Sequence, residues 1–353
     1  MTKEEMKFIT GNEQDFINFI DNLKESDKIA LLSHWDLDGI ASAKIFEEII
    51  KPKLLKLIDY KEFNDELLKE LSKKEINKVI ILDIATNSIG NNLFKKLEEI
   101  NDKILIIDHH EFEKDLNSKK IIFINQKDYC VGFLSYYLVS KIKNIEYLDW
   151  LIACCSISDF AYFKNKKWMK EVYKKYGEKF DYSETGIKKS KFWDIQNKIS
   201  YSALYFKNIL GVYKSINENF GEIGELDKAC KIIKKEVDKQ IEEFYNKKQS
   251  INIGGSLAYF YEVKSKYPIM SIVNNVLSMK EKSQIFILIQ QDKKIYKIST
   301  RNQSKEIDLQ EFLKKLIMGF KNSGCGGHFS AAGGFFPVKY LKTFEDRLLN
   351  IQH

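Results

Sequence analysis

No stretch of this sequence approaches the ~20 consecutive apolar residues that a membrane-crossing helix needs. The opening residues Met1-Thr-Lys-Glu-Glu lack the apolar core of a secretory signal, so a cytoplasmic location is expected. Cysteine is sparse: Cys130, Cys154, Cys155, Cys230 and Cys325 make an odd number with no Cys-x-x-Cys spacing. That pattern argues against a disulfide framework and against a zinc knuckle, and leaves the cysteines as small buried hydrophobes in a reducing compartment. Gly-x-x-x-x-Gly-Lys-Ser/Thr does not occur, which disfavours ATP-driven chemistry. Charge of one sign is not dominant either. The net charge of +7 permits nucleic-acid binding without demanding it.

What the chain does contain is enough apolar material, 44% of 353 residues, for two cores. Residues 15–25 place Phe16, Phe19, Ile20 and Leu23 at helical spacing. Four short apolar runs follow: Ile29–Leu32, Val79–Leu82, Ile104–Ile107 and Ile121–Ile124. They are continuous rather than alternating, as expected of strands buried on both faces of a parallel sheet. Helical patterns lie between several of them, so the first domain is expected to be α/β, with a doubly wound, mainly parallel sheet. Leu148–Ile157 reads as a buried helix ending at Ser158-Asp159.

From about Lys164 the chain becomes basic and aromatic, and a longer helix follows with Leu226, Cys230, Ile233, Val237, Ile241 and Phe244 at steps of three and four. This stretch is expected to be a helical connector, and its Lys, Tyr, Phe and Trp residues suit either a solvated helical face or a surface that tracks a single nucleic-acid strand. Strands are expected again at Leu257–Val263, Gln284–Gln290 and Ile295–Ser299, then a helix over Leu309–Phe320 and a last strand near Phe335. The expected division is therefore residues 1–163, a connector 164–248, and a smaller α/β domain 249–353.

Histidine is the most informative residue. Four of the five fall in three short clusters: His34-Trp-Asp36-Leu-Asp38-Gly39, Asp108-His109-His110 and Gly324-Cys-Gly-Gly327-His328. In an extended segment His34, Asp36 and Asp38 point the same way, a ligand set for a divalent cation, although an ordinary Asp–Gly turn would use the same residues. Asp83 and Asp108 also end apolar strands. Sites in open α/β sheets form beyond the carboxyl ends of the strands, so these groups should converge, with Asp159 completing the set. Five carboxylates and three imidazoles suffice for two bridged cations, and mixed His/Asp ligation favours Mn²⁺ over Mg²⁺. The glycine segment 324–334 is expected to be a loop whose N–H groups bind an anion, with His328 as a donor and Arg301, at the end of a strand, as a phosphate fork.

In order and spacing, His34-x-Asp36-x-Asp38-Gly39, Asp83, Asp108-His109-His110 and Ser156-x-Ser158-Asp159 resemble the four motifs of the DHH phosphoesterases. The segment Gly324-Cys325-Gly326-Gly327-His328 resembles the Gly-Gly-Gly-His signature of their DHHA1 substrate domain, and Ser299-Thr-Arg301 resembles its serine–arginine phosphate element. Together these motifs span nearly the whole chain.

The resemblance implies that His34, Asp36 and Asp83 hold one Mn²⁺ and that Asp38, Asp83, His109 and Asp159 hold the other. It further implies that His110 contacts the scissile phosphate, that Asp108 orients the histidines, and that Ser299, Arg301, Gly326, Gly327 and His328 bind substrate, with the cleft between the domains setting access. The implied activity is that of a single-strand-specific exonuclease on DNA or RNA or short oligonucleotides, with the archaeal RecJ-like branch expected ahead of the oligoribonucleases. Cleavage of cyclic dinucleotides or phosphoadenosine phosphate is the alternative, and a non-catalytic replisome scaffold is the alternative of another class. Replication or repair proteins are candidate partners. Two departures stand out: Cys325 replaces a usual glycine, and 164–248 is longer than the linker of the smallest members.

Overall fold

The computed structural model of the chain describes residues 6–86, 89, 91–206 and 209–350, without the side chains of Asn91 and His328. It divides into two compact units, Met1–Cys230 and Lys231–His353.

The first unit is built on β1 (Ile29–His34), β2 (Leu54–Ile58), β3 (Lys78–Leu82), β4 (Lys103–Asp108) and β5 (Ile121–Asn125). All neighbours pair in parallel, in the order β2-β1-β3-β4-β5. Alternate residues of the central strands feed two separate cores. Leu31, Ile80, Leu82, Leu105 and Ile107 point to one face; Ala30, Leu32, Val79, Ile81, Ile104 and Ile106 point to the other. That two-sided burial is why these strands read as unbroken apolar runs. Helices cover both faces: α1 (Glu13–Asp21), α2 (Leu37–Glu47), α3 (Asp65–Lys73), α4 (Asn91–Ile100), α5 (Val131–Val139) and α6 (Asp149–Ser158).

Residues 164–230 form α7 (Lys166–Lys175), α8 (Glu184–Lys188), α9 (Lys191–Tyr205) and α10 (Ile209–Ser215). Their Trp168, Met169, Tyr173, Phe192, Ile199 and Val212 join the same core as α2, α5 and α6. This stretch therefore packs as part of the first unit instead of standing apart as a connector, because each short helix carries an apolar stripe that must be covered. The chain passes to the second unit along α11 (Asp227–Lys247).

The second unit holds a mixed six-stranded sheet ordered β10-β11-β9-β8-β7-β6. Its strands are β6 (Gln249–Ile253), β7 (Ser256–Glu262), β8 (Ile285–Asp292), β9 (Ile295–Asn302), β10 (Gly324–His328) and β11 (Ala331–Pro337), with α12 (Met270–Lys280), α13 (Leu309–Ile317) and α14 (Leu341–Asn350). Only β7 and β8 run parallel, joined through α12. No helix among the described residues is long and apolar enough to cross a membrane.

Candidate metal centre

In the order β2-β1-β3-β4-β5, the direction of winding reverses between β1 and β3, and ligand sites in such sheets form at that point beyond the strand ends. His34 ends β1, Asp83 follows β3, and Asp108-His109-His110 closes β4. The turn from β1 into α2 is tight: a Cβ on Gly39 would lie 2.1 Å from the His34 carbonyl oxygen, so only glycine fits. Asp36 caps α2, accepting the Gly39 N–H at 3.1 Å, and leaves its other oxygen 2.9 Å from His34 Nδ1.

Asp83 stands at the centre. Its Oδ2 lies 3.6 Å from His34 Nδ1, and its Oδ1 lies 3.6 Å from His109 Nε2 and 4.0 Å from His110 Nδ1. His109 Nε2 is also 3.8 Å from Asp159 and 4.0 Å from Asp38. Ligand atoms of His34, Asp36 and Asp83 lie within 4.8 Å of one another, as do those of Asp38, His109 and Asp159, and of Asp83, His109 and His110. Asp83 adopts the left-handed region at φ 57°, a conformation that asparagine and aspartate tolerate better than most residues and that is often found at functional sites.

The electrostatics are those of an assembled cation site. Burial raises the Asp83 pKa well above the ordinary carboxylate value, and repulsion from Asp38, Asp36 and Asp159 adds to it. Asp159 is raised in the same way, by burial and then by Asp38 and Asp36. The Oδ2 atoms of Asp83 and Asp108 are buried and accept no hydrogen bond. Acceptors crowded together, out of water and short of donors suit a divalent cation. Burial opposes charge on His34 and His110, yet Asp36 raises the pKa of the first and the 2.7 Å bond to Asp108 raises that of the second. Burial lowers the pKa of His109, which keeps its imidazole neutral for ligation.

Several residues of the centre escaped sequence reading. Asp38 accepts the backbone N–H groups of Val131 (2.8 Å) and Gly132 (2.6 Å) at the start of α5, and the Cys155 thiol at 2.8 Å. A Cβ on Gly132 would meet Cys155 Sγ at 2.7 Å and Asp38 Oδ1 at 3.2 Å, so this glycine makes the room in which the carboxylate sits. Tyr60 stacks on His34 with ring centroids 5.0 Å apart, and Asn125 donates to the His110 carbonyl at 2.9 Å. Glycine at the start of an apolar helix was the only signal for the α5 contact.

In the second unit, the register aligns Arg301, Ala331 and His328 on one rung and Ser299, Gly333 and Gly326 on another. Rungs two apart present the same face of a sheet. Gly327 lies on the rung between them, opposite Ala332. The glycine segment is thus a strand, where a loop was expected. Antiparallel pairing with β11 engages its inward groups, and only the outer side of this edge strand keeps free-facing N–H groups. The His328 side chain lies outside the described residues. Arg301 donates to Asn275 (2.8 Å) and to the Thr300 carbonyl (2.9 Å), and burial lowers its pKa. Ser299 accepts from Asn274 at 3.0 Å. The adjacent asparagines in α12 are the sequence signal for this bracing.

Family models match both parts: the N-terminal domain of the DHH family over residues 28–157, and the DHHA1 domain over residues 254–351. The chain belongs to the DHH/DHHA1 phosphoesterase family. It is accordingly a metal-dependent phosphoesterase, with the His/Asp cluster of the DHH domain as its metal centre. Compared with curated proteins by sequence, this DHH phosphoesterase finds no match. Among solved structures it is similar to exonuclease RecJ bound to manganese (14% identity, TM-score 0.69, 96% of this chain and 93% of that one). It is also similar to CDC45 from Entamoeba histolytica (11%, 0.60, 96% and 99%) and to a pGpG-specific phosphodiesterase from Vibrio cholerae (13%, 0.50, 92% and 98%). At these identities the likeness concerns the fold.

Proposed function

We propose that this DHH phosphoesterase is a Mn²⁺-dependent exonuclease that shortens single-stranded DNA or RNA or short oligonucleotides. The observation that carries this reading is the position of Asp83, within 3.6 Å of both His34 and His109, where one carboxylate serves two ligand groups. His34, Asp36 and Asp83 hold one ion, and Asp38, Asp83, His109 and Asp159 hold the other. Divalent ions bound in this way neutralise phosphate charge and lower the pKa of water. Mixed imidazole and carboxylate donors favour Mn²⁺ over Mg²⁺.

The protein's own groups do the rest. Asp108 accepts from His110 Nδ1 at 2.7 Å, which fixes the ring; in the imidazolium form Nε2 also carries a proton and donates to an oxygen of the scissile phosphate. The Asp108 carboxylate favours that protonated form and makes the bond charge-assisted. Ser299, Arg301, Gly326, Gly327 and His328 hold the strand through another phosphate. Every ligand position is filled, which supports an enzyme over a silent scaffold.

The test is hydrolysis of 5′- or 3′-labelled single-stranded DNA and RNA of about 10–20 nucleotides with Mn²⁺. A ladder descending one nucleotide at a time is the expected product. Inert oligonucleotides with rapid cleavage of a cyclic dinucleotide or of phosphoadenosine phosphate would assign the small-molecule activity instead.

A further inference from the structure

The helix that delivers Asp159 to the metal centre ends in an unusual way. Phe160 follows directly in the left-handed region at φ 55°, where a bulky residue rarely sits, and the residue is 48% exposed. Three residues on, Phe163 is also 48% exposed, braced by the buried Tyr162 with ring centroids 4.2 Å apart. Tyr182 is 56% exposed, and Lys166 Nζ lies 4.3 Å from its ring and 5.7 Å from that of Phe163. Lys164, Lys166 and Lys167 are all exposed, and Lys164 pairs with Asp128 at 3.0 Å. Exposed aromatic rings interleaved with lysines, starting one residue from a metal ligand, match a ligand that has flat faces and negative charge.

We propose that Phe160, Phe163 and Tyr182 form a base-stacking platform, with Lys166 facing the backbone, for the nucleotides next to the scissile phosphate of a single strand. This rests on the nucleic-acid reading above and adds a subsite to it. Charge decides the occupant: an apolar peptide would gain nothing from Lys166 and Lys167, whereas a polyanion with stackable bases uses both features.

The test compares the Mn²⁺-loaded full chain with Phe160→Asn, which keeps a residue tolerant of the left-handed region, with Phe163→Ala, and with Phe163→Trp as the restoring change. Substrates are a short deoxythymidine oligomer, the same oligomer with abasic sites beside the scissile bond, and bis-p-nitrophenyl phosphate. Loss of a stacked base should raise KM for the oligomer about 5- to 100-fold, with kcat and metal content retained. The abasic strand should show the high KM already in the wild type, and Phe163→Trp should restore stacking. Equal losses on oligomer and ester would mean a structural role and overturn the platform, as would an unchanged oligomer KM. A wild type that cleaves the ester but no oligomer would overturn the nucleic-acid reading itself. A wild type that cleaves oligomers as readily as its variants would overturn the platform alone.

Discussion

Replacing Asp83 with Asn should make the metal-free protein more stable while abolishing its use. Carboxylate oxygens of Asp83 and Asp36 lie within 4.8 Å of each other, and Asp38 and Asp159 add further repulsion. Two unit charges at that separation repel by about 3.5 kcal/mol at an effective dielectric of ~20. Loss of attraction to His34 and His110, when these are charged, offsets part of this, leaving a net gain of about 1–3 kcal/mol. Asn tolerates the left-handed backbone at this position, so strain does not confuse the comparison. For a unit of this size the gain corresponds to about 2–10 °C in Tm.

The pH dependence has a definite sign. Asp83 and Asp159 have folded pKa values raised above their unfolded ones, so the stability they contribute is complete below pH ~4 and is lost as pH rises through the folded values. His34 and His110 are raised too and act in the same direction above pH ~6.5, whereas His109, lowered, acts against them. The wild type in EDTA should therefore melt at lower temperature at pH 8 than at pH 6, and Asp83→Asn should flatten that slope. Scanning calorimetry in EDTA and then in Mn²⁺ reads both effects. A metal-free Asp83→Asn protein that melts below the wild type at pH 8 would refute the electrostatic account.

Three further outcomes follow from single contacts. Gly39→Ala places a Cβ 2.1 Å from the His34 carbonyl and should leave little folded, active protein by circular dichroism and assay. Cys155→Ala removes a donor to Asp38 and should weaken Mn²⁺ binding, by about 1 kcal/mol in titration calorimetry, with Cys155→Ser recovering most of it. Arg301→Ala should keep both ions but lose about 1.5–3 kcal/mol of oligonucleotide binding, and equal loss on a small ester would place Arg301 at the metals instead.

The parts of this fold that could be read from sequence are those where burial is one-dimensional. β1, β3, β4 and β5 announce themselves because both faces are covered, and the acids just past three of them stand out against that apolar background. β2, Leu54-Leu-Lys-Leu-Ile, did not, because an edge strand half in water tolerates a lysine and loses the signal. β6 is likewise an edge, with alternating polar residues. Asp36, Asp38, Asp83, Asp159 and the histidine pair were legible as chemistry, and the structure brings them together. The Asp38 cradle was not legible, because Val131, Gly132 and Cys155 lie about a hundred residues away and act through backbone and thiol groups of no distinctive type. Glycine-rich Gly324–His328 suggested a loop, but its strand register is set by pairing with β11, a non-local contact.

Counting ions tests the central claim, that one buried carboxylate joins two metal sites. Equilibrium dialysis of the wild type against Mn²⁺, with elemental analysis, should give two ions per chain. Asp83→Ala should retain neither at the same free Mn²⁺, with activity falling below a tenth. A wild type that binds a single ion, or an Asp83→Ala protein that keeps two ions and its activity, would contradict the account.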